Sequence, residues 1–365
     1  MTRKFSECVS PGHPDKCADY ISEYILDRYL EQDPNVRYAV EVMIKGNSVY
    51  LAGEVTSTVR FTDEDYAYFV SDALKEIGYT KEYYEKWGRG NVINPDCITV
   101  IYNITTQSPE ISQGVDVDGY GDQGIFFGYA DVNGDEYLTP KSHALAKSLC
   151  YVLYTQAKEE GIGGLDIKTE IVLNENDSIN KIIAAVPCRS DEEYNKVLER
   201  IKLWYWDAKL YFCGDENTGG LPEIILNGTG NYVMHGPIAD CGVTGRKLAV
   251  DFYGGEFQVG GGATSSKDGT KADVSLNLYA RKLAKQWALK TGQSIKVSLG
   301  CCIGRSEVDY SIETPCGDVI ETGVMDLKPS KVIKELGLDS PIYSSMHQFG
   351  LFGEFQQDKN WEKID

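Results

Sequence analysis

The stretch SPGHPDKCADYIS, Ser10–Ser22, sets one of only four histidines between a glycine and a proline and follows it with an aspartate and a lysine. Pro14 suits the first turn of a helix, where a missing N–H is no loss. Cys17, Ile21 and Ile25 continue at helical spacing, flanked by Tyr24 and Tyr29. His13, Asp15 and Lys16 therefore cluster at a helix start, where free backbone N–H groups and the dipole favour an anion. Taken alone, the stretch reads as a turn leading into a surface helix. A second group of charges lies far downstream: Arg246–Lys247 and Lys267 to Lys271 bracket glycine-rich turns, with Asp240 and Asp273 nearby. Glycines let backbone amides approach phosphate oxygens, cations neutralise them, and aspartates can hold Mg²⁺. Such loops are costly to order without a ligand, so polyphosphate chemistry is expected.

Two better-known phosphate signatures are decoys. Gly119–Gly124 spells G-x-G-x-x-G, but an acidic loop precedes it and a strand-like segment follows, the reverse of a dinucleotide-binding turn. In GGATSSKD, Ser266 stands before the lysine where a P-loop needs glycine. Ten cysteines include no C-x-x-C pair, and His13, His143, His235 and His347 do not fall at zinc-ligand spacing with them. Buried free thiols are expected.

The composition bounds the rest. At 365 residues and 42% hydrophobic content, two or three domains are expected. No apolar run approaches membrane-spanning length and MTRKFSECVS has no signal-peptide core, so a cytoplasmic protein with no membrane partner is expected. A net charge of −19 argues against nucleic-acid binding.

The elements that must position these charges alternate in loose blocks. VRYAVEVMIKGN and SVYLAGEVTST form a hairpin through Gly46–Asn47, carrying Glu41 and Glu54. DEDYAYFVSDALKEIGY reads as helix and DCITVIYNI as strand; the polar stretch from Thr105 to Gly124 has the character of a lid. IFFGYAD is a strand, SHALAKSLCYVLYTQAKEEG a helix, DIKTEIVLN and SINKIIAAVP a second hairpin, and EEYNKVLERIKLWYW a helix. Leu276, Tyr279, Ala280, Leu283, Ala284 and Trp287 mark a further helix closed by Gly292, before the strand SIKVSLGCCI. Hairpins instead of strand–helix–strand crossovers favour an α+β fold.

Four motifs in order, GHPDK, GDQG…FGYA, GPIADCGVTGRKLAVDFYGG and GGGATSSKDGTKAD, resemble those of the S-adenosylmethionine synthetase family over nearly the whole chain. The resemblance implies three similar α/β domains (1–110, 117–233 and 234–365) in a pseudo-threefold arrangement, with mixed sheets and helices on one face. It implies a homodimer or dimer of dimers with active sites at the subunit interface. The reaction it implies joins ATP to L-methionine at ribose C5′ and then cleaves the released triphosphate to pyrophosphate and phosphate. The cofactors implied are K⁺ and two Mg²⁺ ions per site.

By this resemblance, His13, Lys16, Asp122, Arg246 and Lys267 are catalytic. ATP falls to His13, Asp166, Lys168, Asn231, Tyr232, Asp240, Arg246, Lys247, Ala263 and Lys267, and methionine to Glu54, Gln107, Asp240 and Lys271. Asp15 and Asp273 match Mg²⁺ ligands, Glu41 and Ser265 K⁺ ligands. The chain departs from the family pattern at Pro11, Gly228, Asn231, Ala239 and Ser266, and in a short Gln113–Asp122 loop that implies a faster-opening gate. Two other readings are a triphosphatase without sulfur alkylation and a silent regulatory subunit. Glu54, Gln107 and Asp240 speak against the first, the retained metal and phosphate residues against the second.

Overall fold

A computed structural model describes residues 3–106, 118–213 and 220–363. Three consecutive segments repeat one theme. The first runs β1 (Lys4–Val9), α1 (Pro14–Leu30), the hairpin of β2 (Arg37–Lys45) and β3 (Ser48–Thr56), α2 (Asp63–Ile77), α3 (Lys81–Trp87) and β4 (Thr99–Thr105). The second runs β5 (Gly124–Ala130), α4 (Lys141–Thr155), β6 (Lys168–Leu173), β7 (Ile179–Ala185), α5 (Asp191–Cys213) and β8 (Glu223–Leu226). The third has β9 (Gly242–Val243), the short α6 (Leu248–Phe252) and α7 (Ala272–Thr291). It continues through β10 (Ile295–Cys301), β11 (Glu307–Glu313), β12 (Val319–Asp326), α8 (Pro329–Leu336) and α9 (Tyr343–Met346).

Each segment gives its first strand away. β1 joins the second segment's sheet, in order β1-β6-β7-β8; β5 joins the third's, in order β12-β11-β10-β5; β9 joins the first's, in order β4-β3-β2-β9. The exchange is cyclic, so no sheet is built from one segment alone. A main helix packs beside each donated strand: α4 on β1, α7 on β5, α1 on β9. Two sheets are mixed, because β3–β4 and β7–β8 pair in parallel across an intervening helix. The third is antiparallel throughout, a departure from the expected mixed sheets, because β12 follows β11 through a tight turn with Gly317 at φ 93°.

The helix starting at GHPDK is not on the surface. Every residue of α1 is buried except Arg28. One stripe is apolar, with Cys17, Ile21 and Ile25 fully excluded from water. The other carries Lys16, Asp19, Glu23 and Asp27, each no more than 3% exposed. Spacings of three and four residues put these four on one helix face, and their partners come from later in the chain. The thiols divide: Cys8, Cys17, Cys150, Cys188 and Cys301 are buried and free, whereas Cys97, Cys302 and Cys316 are exposed. Among the described residues no helix is long and apolar enough to cross a membrane.

Gly242, in donated β9, lies so close to α1 that a Cβ there would stand 1.9 Å from the Pro14 carbonyl oxygen. Gly242→Val should therefore push β9 off the helix start and cost about 1–3 kcal/mol, read as a lower denaturant midpoint at unchanged slope.

Candidate active site

His13 is the N-cap of α1, and its Nδ1 accepts the Asp15 N–H at 3.2 Å. Burial, then Lys247 and Lys168, pull its pKa down to about 2. The ring is thus neutral with Nδ1 as acceptor, which leaves the proton on Nε2 as a donor. Asp15 sits beside it at 3% side-chain exposure, 2.6 Å from Lys247 Nζ and 3.7 Å from Arg246 Nη1. Its Oδ1 also accepts the Val243 N–H at 3.0 Å, so β9 and the Arg246–Lys247 turn are bonded to the start of α1.

The glycine-rich loop closes the other side. Lys267 Nζ lies 2.6 Å from Asp273 Oδ2, and the Gly262 N–H donates to Asp273 Oδ1 at 2.7 Å. Asp273 stands in the first turn of α7, where a carboxylate is favoured by the dipole. The two cationic loops touch: a Cβ on Gly245, at φ 71°, would meet Ala263 Cβ at 2.4 Å. Asp19 ties them from beneath, accepting the Gly245 N–H at 2.9 Å and the Ser265 hydroxyl at 2.6 Å. Glu41 accepts a hydrogen bond from the Thr244 hydroxyl on the same side.

Asp166, just before β6, accepts the Gly236 N–H at 2.9 Å through Oδ2, while its Oδ1 is buried without a partner. Burial raises its pKa to about 6, with Asp240 and Asp15 adding to the rise. Lys168, two residues on and the first of β6, is exposed, Tyr232 is half-buried, and Asp240 is exposed with its carboxylate folded back on the Cys241 N–H at 2.8 Å. Asn231 is exposed and bridges Asn227 and Asp191. Lys271 caps α7, 3.7 Å from Asp268.

Three expected residues stand differently. Lys16, expected at a phosphate, is 3% exposed and bonds Asp251 at 2.6 Å and Asp19 at 3.1 Å. Burial opposes its charge, but Asp251, Asp19 and Glu23 outweigh it and raise the pKa. Asp122 is on the loop entering β5, its carboxylate accepting the neighbouring Gln123 N–H and its carbonyl the Cys301 thiol at 3.5 Å, and Glu54 is on β3 opposite Ala39. Gln107 and residues 113–117 of the expected gating loop lie outside the described residues. The residues that sequence reasoning did not single out are the supports Asp19, Asp251, Thr244 and Thr264. Asp19 shares a helix face with Lys16, a signal that reads equally well as a solvated stripe.

No group of three or more His, Cys, Asp or Glu side chains gathers into a metal cage among the described residues. Mg²⁺ needs none: it is commonly held by one or two carboxylates with substrate phosphates and water. Asp15 and Asp273, each a carboxylate paired with a lysine at 2.6 Å, have the chemistry of that pattern. Neutral donors, cations and carboxylates around a cleft define a site for a nucleotide polyphosphate.

The comparisons narrow this class to one family. Residues 2–109 match the S-adenosylmethionine synthetase N-terminal domain and residues 234–363 the C-terminal domain. S-adenosylmethionine synthases of Acholeplasma laidlawii and Mycoplasmopsis synoviae are 34% and 35% identical over 99% of this chain and 96% and 94% of theirs. A solved S-adenosylmethionine synthetase from Campylobacter jejuni, described as unusual, superposes with a TM-score of 0.85 at 32% identity, covering all of this chain and 97% of that one. The chain belongs to the S-adenosylmethionine synthetase family, and its reaction is the synthesis of S-adenosylmethionine from ATP and methionine.

The depressed His13 pKa gives a direct expectation. Its imidazole should show no titration between pH 5 and 8 in ¹⁵N-edited NMR spectra of the free protein, with the proton on Nε2. A group whose folded pKa is lowered contributes stability above about pH 6.5 and loses it as the medium turns acid.

Proposed function

We propose that the cleft between the start of α1, the Arg246–Lys247 turn and the glycine-rich loop holds the ATP triphosphate, and that methionine sulfur attacks ribose C5′ at its mouth. The observation that carries this reading is Lys247 paired with Asp15 at 2.6 Å beside a neutral His13, on a turn that touches the loop where Lys267 is paired with Asp273 at 2.6 Å. A thioether needs no general base. As the S–C5′ bond forms, the C5′–O electron pair passes to the triphosphate, and a sulfonium remains. Alignment of the two substrates can supply roughly 7–11 kcal/mol; the remainder must come from stabilising the departing charge.

His13 Nε2–H donates to the departing oxygen. Arg246, Lys247 and Lys267 hold the phosphates, and Ala263 leaves backbone room beside them. Mg²⁺ at Asp15 and Asp273 neutralises phosphate charge when bound, and K⁺ at Glu41 and Ser265 steadies the two loops. Lys16 acts from below as a positioning residue. The free Oδ1 of Asp166 suits a nucleoside hydroxyl, with Lys168 and Asn231 beside it and Tyr232 as a surface for adenine. Glu54, Gln107, Asp240 and Lys271 take methionine, and Asp122 closes on the substrates from the β5 side. Arg246 and Lys267 then keep the triphosphate in place for hydrolysis.

The same reading includes a homodimer. Glu41 and Met43 on β2, Tyr50 and Glu54 on β3 and Ile101 on β4 share one sheet face. Met43, Tyr50 and Ile101 are 40%, 37% and 48% exposed side by side, an apolar row next to candidate site residues that suits a second copy. A cytoplasmic location, where ATP is abundant, goes with it. The stretches 1–110, 117–233 and 234–365 are repeats of one unit, each completed by its neighbour.

Two experiments test this. His13→Ala should lower S-adenosylmethionine formation about 100- to 1,000-fold while hydrolysis of added triphosphate survives; equal losses would remove His13 from C5′. Met43→Glu should convert dimers to monomers in light scattering and reduce activity by about tenfold or more.

A further inference from the structure

The charged stripe of α1 continues past the cleft. Below Lys16 and Asp19 lies Glu23, 1% exposed, with both carboxyl oxygens buried and without a hydrogen bond, Oε1 lying against Nδ1 of His347, which is likewise buried without one. His347, 2% exposed, is 3.0 Å through Nε2 from the hydroxyl of Thr264 in the glycine-rich loop. Thr264 is 1% exposed and adjoins Ser265, which Asp19 holds. We propose that Glu23 and His347 are positioning residues, a pair sharing one proton that fixes Thr264, and with it the triphosphate-binding loop, from beneath the site. The proposal rests on the reading of that loop as the triphosphate site.

Charge balance requires the proton. The groups facing the pair are Lys16, Asp19 and Asp27 from α1, Asp251 from α6 and the Tyr343 phenol from α9, which burial keeps protonated. Lys16 already serves Asp19 and Asp251, and Asp27 accepts the Tyr343 and Ser344 N–H groups at 2.9 Å each. An ionised Glu23 beside a neutral imidazole would add an uncompensated carboxylate to this water-free cluster. Burial first, then Asp19, raises the Glu23 pKa well above the ordinary value, and burial, then Lys16, lowers that of His347 to about 4. Both directions place the proton on the carboxyl in the neutral range.

The proton also sets the polarity of the bond to the loop. While the pair holds it, on the carboxyl or on the ring, Nδ1 is engaged toward Glu23 and the ring carries hydrogen on Nε2. Nε2–H then donates to Thr264. Removal of the proton leaves the remaining ring hydrogen on Nδ1, facing the carboxylate. Nε2 becomes an acceptor, and the Thr264 hydroxyl must turn round to donate. Loss of one proton some distance from the phosphates thus re-makes a contact of the loop that grips them.

The test is the KM for ATP against pH, with kcat measured separately. In the wild type KM should rise at alkaline pH while kcat changes little, and ¹⁵N NMR of the histidine rings should show His347 passing from the Nε2–H to the Nδ1–H tautomer over the same range. Glu23→Gln, whose amide donates to Nδ1 at every pH, should hold KM within about twofold of wild type at neutral pH and abolish the alkaline rise. His347→Ala should raise KM for ATP about tenfold at all pH values. A pH profile shared by the wild type and Glu23→Gln, or an Nδ1–H tautomer for His347 in the neutral wild type, overturns the proposal; the NMR result stands even if a variant fails to fold. Lys267→Ala separates the two readings. If it leaves KM for ATP unchanged, the loop is not the triphosphate site; if it raises KM while the Glu23 and His347 variants do not alter it, only the present inference fails.

Discussion

The cleft rests on a buried cation between two carboxylates. Lys16 is held by Asp19 and Asp251 with all three nearly excluded from water, and breaking such a group by removing one partner typically costs 3–5 kcal/mol. That penalty makes the arrangement strict. Asp19 must point up toward Gly245 and Ser265 because Lys16 occupies its other side, and Asp251 must bring α6 beneath α1. The loops that carry Arg246, Lys247 and Lys267 are therefore fixed by a charge pattern on the buried stripe of α1, beneath the proposed site. A glycine-rich loop gains close approach to phosphate at the expense of rigidity, and the buried stripe of α1 restores it.

At the surface of the cleft the same charges are kept ready. Lys247 and Lys267 are bonded to Asp15 and Asp273, so each cation is near its working place without standing unpaired. In the proposed site an incoming polyphosphate would exchange partners with these ion pairs instead of ordering a loop from scratch, which lowers the entropy cost of binding. The net charge of −19 does not conflict with an anionic substrate: surface carboxylates are screened within about 10 Å in salt, while in the proposed site these cations would face the phosphates directly.

Much of this was legible in the sequence. The hairpins β2–β3 and β6–β7 followed from alternation around short turns, and α7 from its apolar spacing and Gly292. The candidate site was recognisable because its motifs are contiguous. What was hidden depends on long-range pairing. β1 and β9 have no hairpin partner beside them, so nothing local reveals which sheet they complete. Lys16 reads as a solvent-facing cation until Asp251, 235 residues away, is seen at its Nζ. Glu23 and Asp27 read as a solvated stripe for the same reason, since a helix buried on both faces has weak amphipathic contrast.

The cyclic gift of strands governs how the protein is made as well as how it stands. Emerging from the ribosome, the first four-stranded layer lacks its edge until Gly242–Val243 is synthesised, and the second borrows an edge made before all its other members. Only the second layer, whose last strand ends at Leu226, has all its members before the third segment is made. Native contacts must span much of the polypeptide, a topology that folds slowly and leaves unpaired edges open to neighbours. Nor can any third be excised as a working module, because each cut removes a ribbon from one layer and orphans a ribbon of another.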